Sequence, residues 1–177
     1  SSIFLSNQEN PSSGSMVMVT REATRPLLIE IQALVDQSNT TPKRVSVGLD
    51  QNRLALQLAI LHKHSGISTF DQDVFVNVVG GIKVGETASD LVVMLAIVSS
   101  LRDKVIPSNW IAFGEVGLTG EVRPVYNAQE RISEAQKQGF ELAIIPKGNT
   151  PKKTIKGMKI VSVGYLYQAI QYLLENS

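Results

Sequence analysis

From residue 27 to residue 35 the chain alternates. Ile29, Ile31, Ala33 and Val35 fall on one set of positions, with Glu30 and Gln32 between them. A period of two is that of a strand with one face on a core. Residues 16–21 predict the strand before it, so the two read as a strand pair. Residues 36–42 are polar and predict a loop, and residues 45–48 a short strand. Asp50 then stands as a helix cap, and Leu54, Ala55, Leu58 and Leu61 recur at the helical period, predicting a helix to about residue 62. Residues 74–79 form an apolar strand closed by Gly80 and Gly81. Thr87 opens a second helix, carried by Leu91, Met94, Leu95 and Val98 to about residue 101. Strands follow at 110–113 and 121–125. Asn127 caps a third helix, which Gly139 ends. Residues 142–145 and 158–161 predict short strands, and Leu166, Ala169, Ile170 and Leu173 a last helix.

This order is that of an α+β protein, mixed α/β layers around one core. No internal repeat or long linker divides it. Residues 7–15 are rich in Asn, Pro, Ser and Gly, so residues 1–15 predict a leading segment or linker and residues 16–177 a single domain. The first residues lack Met, a basic leader and a long apolar run, which predicts a cut from inside a longer protein rather than a signal peptide.

Composition narrows the functions. With 177 residues and 43% hydrophobic content, one sizeable core can form. The formal net charge is only +1, so contact with nucleic acid requires a local patch. The absence of cysteine excludes disulfides and cysteine-ligated zinc and fits a cytoplasmic setting. No apolar run is long enough to cross a membrane as a helix.

Residues 80–87 carry P-loop glycine spacing between a strand and a helix, but Glu86 stands where the phosphate-binding lysine belongs. A carboxylate there repels phosphate, so the stretch reads as a glycine-rich turn. His62 and His64 do not share a helix face, and no metal site is expected. Asp71 and Asp73 read as a turn before a strand, and Trp110 as a core or interface anchor. Thr87 with Asp90, and Asn127 with Glu130, have capping-box spacing.

Residues 88–101 resemble the helix of Lon-type proteases that begins at the nucleophilic serine. Residues 113–125 resemble the segment that leads to their catalytic lysine, and residues 144–147 and the closing helix follow the same pattern. The resemblance implies a Lon protease proteolytic-domain-like fold, as in a small-subunit ribosomal protein domain. Aligned without a gap, the serine position falls on Ala88 and the lysine position on Gln129. A Ser–Lys dyad needs a neutral amine to take the hydroxyl proton, and glutamine has none. Ser89 lies one residue away, about 100° around a helix. No catalytic residue is therefore expected, and Thr87, Asp90, Asn127 and Glu130 are read as helix caps.

Residues 24–35, 47–55, 71–81, 99–103 and 113–118 more closely resemble the RadA/Sms family of bacterial DNA repair proteins, in their C-terminal Lon-like domain. The similarity runs from about residue 3 to the final helix. It implies an ATP-driven branch-migration protein with an N-terminal zinc finger and a RecA-like ATPase, from which residues 1–15 would lead. Zinc, ATP and magnesium then belong to those other domains, and none to this chain. The implied partners are single-stranded or branched DNA, copies of itself in a ring, with a hexamer expected, and a recombinase. A non-catalytic scaffold and DNA-contact role follows. Its alternatives are a Ser peptidase with a rearranged dyad and a peptide-binding pseudo-protease.

DNA contact requires cations along a phosphate track. The candidates are Arg25, Arg44, Arg53, Lys83 and Arg123. Arg53 stands out because it lies in the first turn of its helix, where the dipole disfavours a cation. Lys152, Lys153, Lys156 and Lys159 form a second basic cluster, read mainly as a solvated loop.

Overall fold

A computed structural model describes residue 5 and residues 11–177. The expected leading segment lies largely outside the described residues. In chain order the strands are β1 (Ser15–Glu22), β2 (Arg25–Gln37), β3 (Arg44–Val47), β4 (Gln72–Val78), β5 (Trp110–Ala112), β6 (Glu115–Val116), β7 (Val122–Arg123), β8 (Leu142–Pro146) and β9 (Lys159–Val163). The helices are α1 (Gln51–Ser65), α2 (Asp90–Arg102), α3 (Ala128–Lys137) and α4 (Leu166–Asn176).

Seven strands form one sheet in the order β3-β4-β2-β1-β5-β8-β9, and β6 and β7 pair separately. β1, β2 and β4 run antiparallel to their neighbours in turn, from Ser15 opposite Gln32 and from Ile31 opposite Val78. All other neighbours in the large sheet are parallel. The result is a mixed α/β protein.

β1 explains why the sheet has two cores. Met16 and Met18 face one apolar cluster, and Val17 and Val19 face the other. A strand buried on both faces loses the polar alternation of an edge strand. The larger cluster includes side chains of α1, α2 and α4, and the smaller one Ile132 and Ala135 of α3. α2 lies deepest, every residue from Asp90 to Ser100 being buried. A helix apolar all round belongs in such a position. Each fully buried leucine or isoleucine contributes roughly 1.5–3 kcal/mol by leaving water.

Local expectations fail where a residue finds a distant partner. The two capping boxes do not form. Thr87 Oγ1 donates instead to Glu115 Oε1 at 2.5 Å, and Asp90 turns inward. Asn127 takes a left-handed conformation (φ 61°) and makes no side-chain cap. A 3-10 turn, Thr87–Ser89, precedes α2. α1 runs on to Ser65, past the predicted end, until Gly66 turns left-handed and its N–H bonds the His62 carbonyl. The strand expected at 121–125 shortens to β7, followed by Pro124, which has no N–H to offer a sheet. Asp50 does cap α1, accepting from the Asn52 N–H at 3.0 Å.

Candidate functional site

The segment between β4 and α2 carries Ala88 and Ser89, and Gly48 fixes its path. The Val84 N–H donates to the Gly48 carbonyl at 2.7 Å. Gly48 has φ 87°, and a Cβ there would lie 2.6 Å from the Ile82 carbonyl oxygen. Only glycine tolerates both the left-handed backbone and this approach.

Beyond that contact the segment reaches Glu86, Ala88 and Ser89. Ala88 is buried. The Ser89 hydroxyl donates to the Glu86 carbonyl at 2.9 Å within its own turn. Among the described residues no lysine amine bonds to it. Gln129 is exposed in the first turn of α3.

Two ion pairs surround these positions. Arg131, buried in α3, donates to both carboxylate oxygens of Glu86 at 2.6 and 3.0 Å. Its remaining donors reach the Val19 and Tyr126 carbonyls, and its guanidinium lies 5.8 Å from the Phe113 ring centre. Thr20 donates to the same Glu86 carboxylate at 2.5 Å. Burial alone would raise the Glu86 pKa. The hydrogen bonds from Arg131 and Thr20, with the charges of Arg131 and Arg21, outweigh it and hold the carboxylate below its ordinary range.

Asp90 forms the second pair. It is fully buried and accepts from Arg53 Nε at 2.9 Å, a second Arg53 nitrogen at 2.5 Å, Gln57 at 2.8 Å and the Val116 N–H at 3.0 Å. The hydrogen bond with Asp90 raises the Arg53 pKa further above its already high value. A cleft of about 250 Å³ lies over these groups, lined by Arg53, Gln57, Gly85, Glu86, Ser89 and Asp90. Its neighbour, of about 300 Å³, is lined by Thr20, Arg21, Leu27, Lys83 and Glu86 among others.

The five cation candidates divide. Arg53 is held by Asp90. Arg123 pairs with Glu121 at 3.3 Å and Glu115 at 3.7 Å, with its side chain still 58% exposed. Arg44 spends its donors on carbonyls, including that of Thr69 at 2.7 Å. Arg25 and Lys83 are exposed and carry no ion pair among the described residues. Both lie at one end of the molecule, since Arg25 pairs in register with Glu22, which lines the same cleft as Lys83. Trp110 is buried and packs 5.5 Å from Tyr172. His64 meets the Leu118 carbonyl at 2.9 Å, and Asp73 accepts from the Lys43 N–H at 2.7 Å. Among the described residues no group of three or more His, Cys, Asp and Glu is placed to hold a metal ion, and no helix is long and apolar enough to cross a membrane.

Arg131 and Gln57 were not singled out in the sequence. Gln57 carries no local signal. Arg131 does carry one, because it interrupts the apolar face that Ile132 and Ala135 give α3.

Residues 35–149 match the family model described as subunit ChlI of Mg-chelatase. The chain belongs to that family. It is also 56% identical over 176 residues to the DNA repair protein RadA of Pseudomonas aeruginosa, covering 99% of this chain and 39% of that protein. Identity to the DNA repair protein RadA of Escherichia coli is 60% over 171 residues, 96% of this chain and 37% of the relative. For the RadA of Bacillus subtilis it is 40% over 173 residues, 97% and 38%. The resemblance to RadA/Sms proteins read from the sequence is thus shown. The chain spans less than two fifths of the length of these relatives.

Proposed function

We propose that the chain is a Lon-like, non-catalytic scaffold and DNA-contact domain of a RadA-type DNA repair protein that works by branch migration in the cytoplasm. One observation carries the non-catalytic reading. The Ser89 hydroxyl donates to a carbonyl in its own turn, while the charged groups beside it are committed to one another. Among the described residues no acceptor is left to draw off its proton.

The Glu86–Arg131 pair supports the Lon-like arrangement. It joins a residue two before Ala88 to a residue two after Gln129. The two positions aligned with a protease dyad are thereby tied to one end of the fold, where a dyad would have to meet. Residues 16–177 act in this reading as one domain, and residues 1–15 as the lead from a preceding ATPase domain. Ring assembly, with six copies, and partnership with a recombinase belong to the same proposal. Arg25 and Lys83 are its leading DNA contacts, being exposed cations at one end of the sheet.

Two measurements test it. Incubated with unfolded casein, the chain should release no more peptide than Ser89→Ala does; cleavage that disappears in Ser89→Ala would establish the rearranged peptidase instead. Binding to a labelled branched DNA should weaken in Arg25→Ala with Lys83→Ala. The slope of log affinity against log salt should fall by about one for each cation removed. An unchanged slope removes these two residues from the contact.

A further inference from the structure

The end of the molecule beyond β7 and β9 carries aromatic side chains that the core does not use. Tyr165 and Tyr167 stack on each other, with ring centres 6.0 Å apart and planes 22° from parallel. Each remains about half exposed, at 50% and 51%. A structural tyrosine buries most of its ring, and each of these leaves about half of it in solvent.

Cations converge on the same place. The Val122 N–H donates to the Gly164 carbonyl and the Leu166 N–H to the Gly120 carbonyl, each at 2.9 Å. Arg123 therefore stands beside the segment that holds the tyrosines. Pro146 is in register with Val163, which brings the exposed Lys147 to the level of Gly164. Thr150 meets Ser162 at 2.6 Å, and from there the chain carries the exposed Lys152 and Lys153 back toward the start of β9 at Lys159. Lys63, also exposed, precedes His64, which bonds the Leu118 carbonyl in the adjoining turn. The carboxylates nearby are Glu115 and Glu121. Thr119 and Arg123 bond Glu121, and the Thr119 hydrogen bond is the first cause of its lowered pKa. Positive charge thus prevails locally, although the chain as a whole carries only +1.

Exposed aromatic faces within a cationic rim have the chemistry that binds unpaired bases and their phosphates. From this geometry we infer that the Tyr165–Tyr167 pair is a stacking platform for single-stranded nucleic acid, with Lys147 beside it holding a phosphate. The inference rests on the proposed reading in taking DNA as the partner. It places a second contact apart from Arg25 and Lys83 and selects single strands, because the bases of a duplex already stack on each other.

The test uses a fluorescein-labelled dT 20-mer and a mixed-sequence duplex of equal length, read by anisotropy across a salt series. Tyr165→Ala with Tyr167→Ala should weaken dT binding about tenfold or more, with the duplex affinity and the salt slope unchanged. The Tyr→Phe pair, which keeps the rings, should bind as the parent does and controls for folding. Lys147→Ala should lower the dT salt slope by about one. Undiminished dT affinity in the alanine pair overturns the platform. If Arg25→Ala with Lys83→Ala then weakens duplex binding, the broader reading survives that failure. If the alanine pair loses dT while the Arg25 and Lys83 variants bind both probes normally, the platform holds and the Arg25–Lys83 contact falls. A parent chain that binds neither probe overturns both.

Discussion

Arg131 grips both oxygens of the Glu86 carboxylate, joining α3 to the segment in front of α2. Glu86 occupies the place that a P-loop would give to lysine, and its partner is the buried arginine of a helix 45 positions further on. The charge that forbids phosphate is therefore spent on bracing the fold. Glu86→Ala should leave the Arg131 guanidinium buried against carbonyls alone. Removing one partner of such a pair costs about 3–5 kcal/mol, and here the lower end applies because Glu86 is partly exposed. The urea midpoint should fall accordingly. Glu86→Ala combined with Arg131→Met should cost less than the two single changes added together.

The same pair gives the protein an acid limb. Glu86 has a lower pKa folded than unfolded. Its contribution is complete above the ordinary glutamate pKa and is lost as pH falls through the depressed folded value. Urea midpoints followed from pH 7 to pH 3 should decline in the parent. Glu86→Gln should start from a lower midpoint at pH 7 and decline less steeply. Parallel curves for the two proteins would show that other carboxylates set the limb.

The elements that could be read in the sequence were those whose cause is local. The β2 strand, the α1 helix and the Asp50 cap each depend on neighbours within a few residues, and each forms, although Glu30 is buried and Ala55 exposed, against the pattern read for them. Thr87 and Asp90 have the right spacing for a capping box but do not form one. Asp90 finds Arg53 37 residues away, and a buried bidentate pair outweighs a surface cap. One anomaly did point to this. An arginine in the first turn of α1 opposes the helix dipole, so something else had to hold it, and Asp90 does. The Arg131–Glu86 brace gave only the fainter sign of a charge on an apolar face.

β3 is an edge strand with Val45 and Val47 exposed, and Gln51 occupies its free edge. The Ser46 N–H donates to Gln51 Oε1 at 2.9 Å, and Gln51 Nε2 donates to the Arg44 carbonyl. One side-chain amide thus fills two backbone positions that another strand would otherwise pair. Gln51→Ala should cost only about 1 kcal/mol in stability. It should also produce concentration-dependent association beyond that of the parent, seen by light scattering. Adding Val47→Lys should suppress the new association, because a charge on the edge strand opposes pairing. If Gln51→Ala scatters like the parent at every concentration, the side chain is not what blocks this edge.

Arg53 and Asp90 allow a structural cation to be separated from a DNA-binding one. Asp90 lies wholly buried, and without Arg53 its charge would rest on Gln57 and the Val116 N–H alone. Arg53→Ala should cost about 3 kcal/mol, by leaving an unpaired buried charge. Arg53→Lys should recover only part of this, since an ammonium cannot present the planar fork that meets both carboxylate oxygens. At temperatures where the variants stay folded, their DNA affinity and salt slope should match the parent. The guanidinium already has its counter-charge and releases few ions on binding. A salt slope lowered by about one in a folded Arg53→Ala protein would instead put Arg53 on the phosphate track.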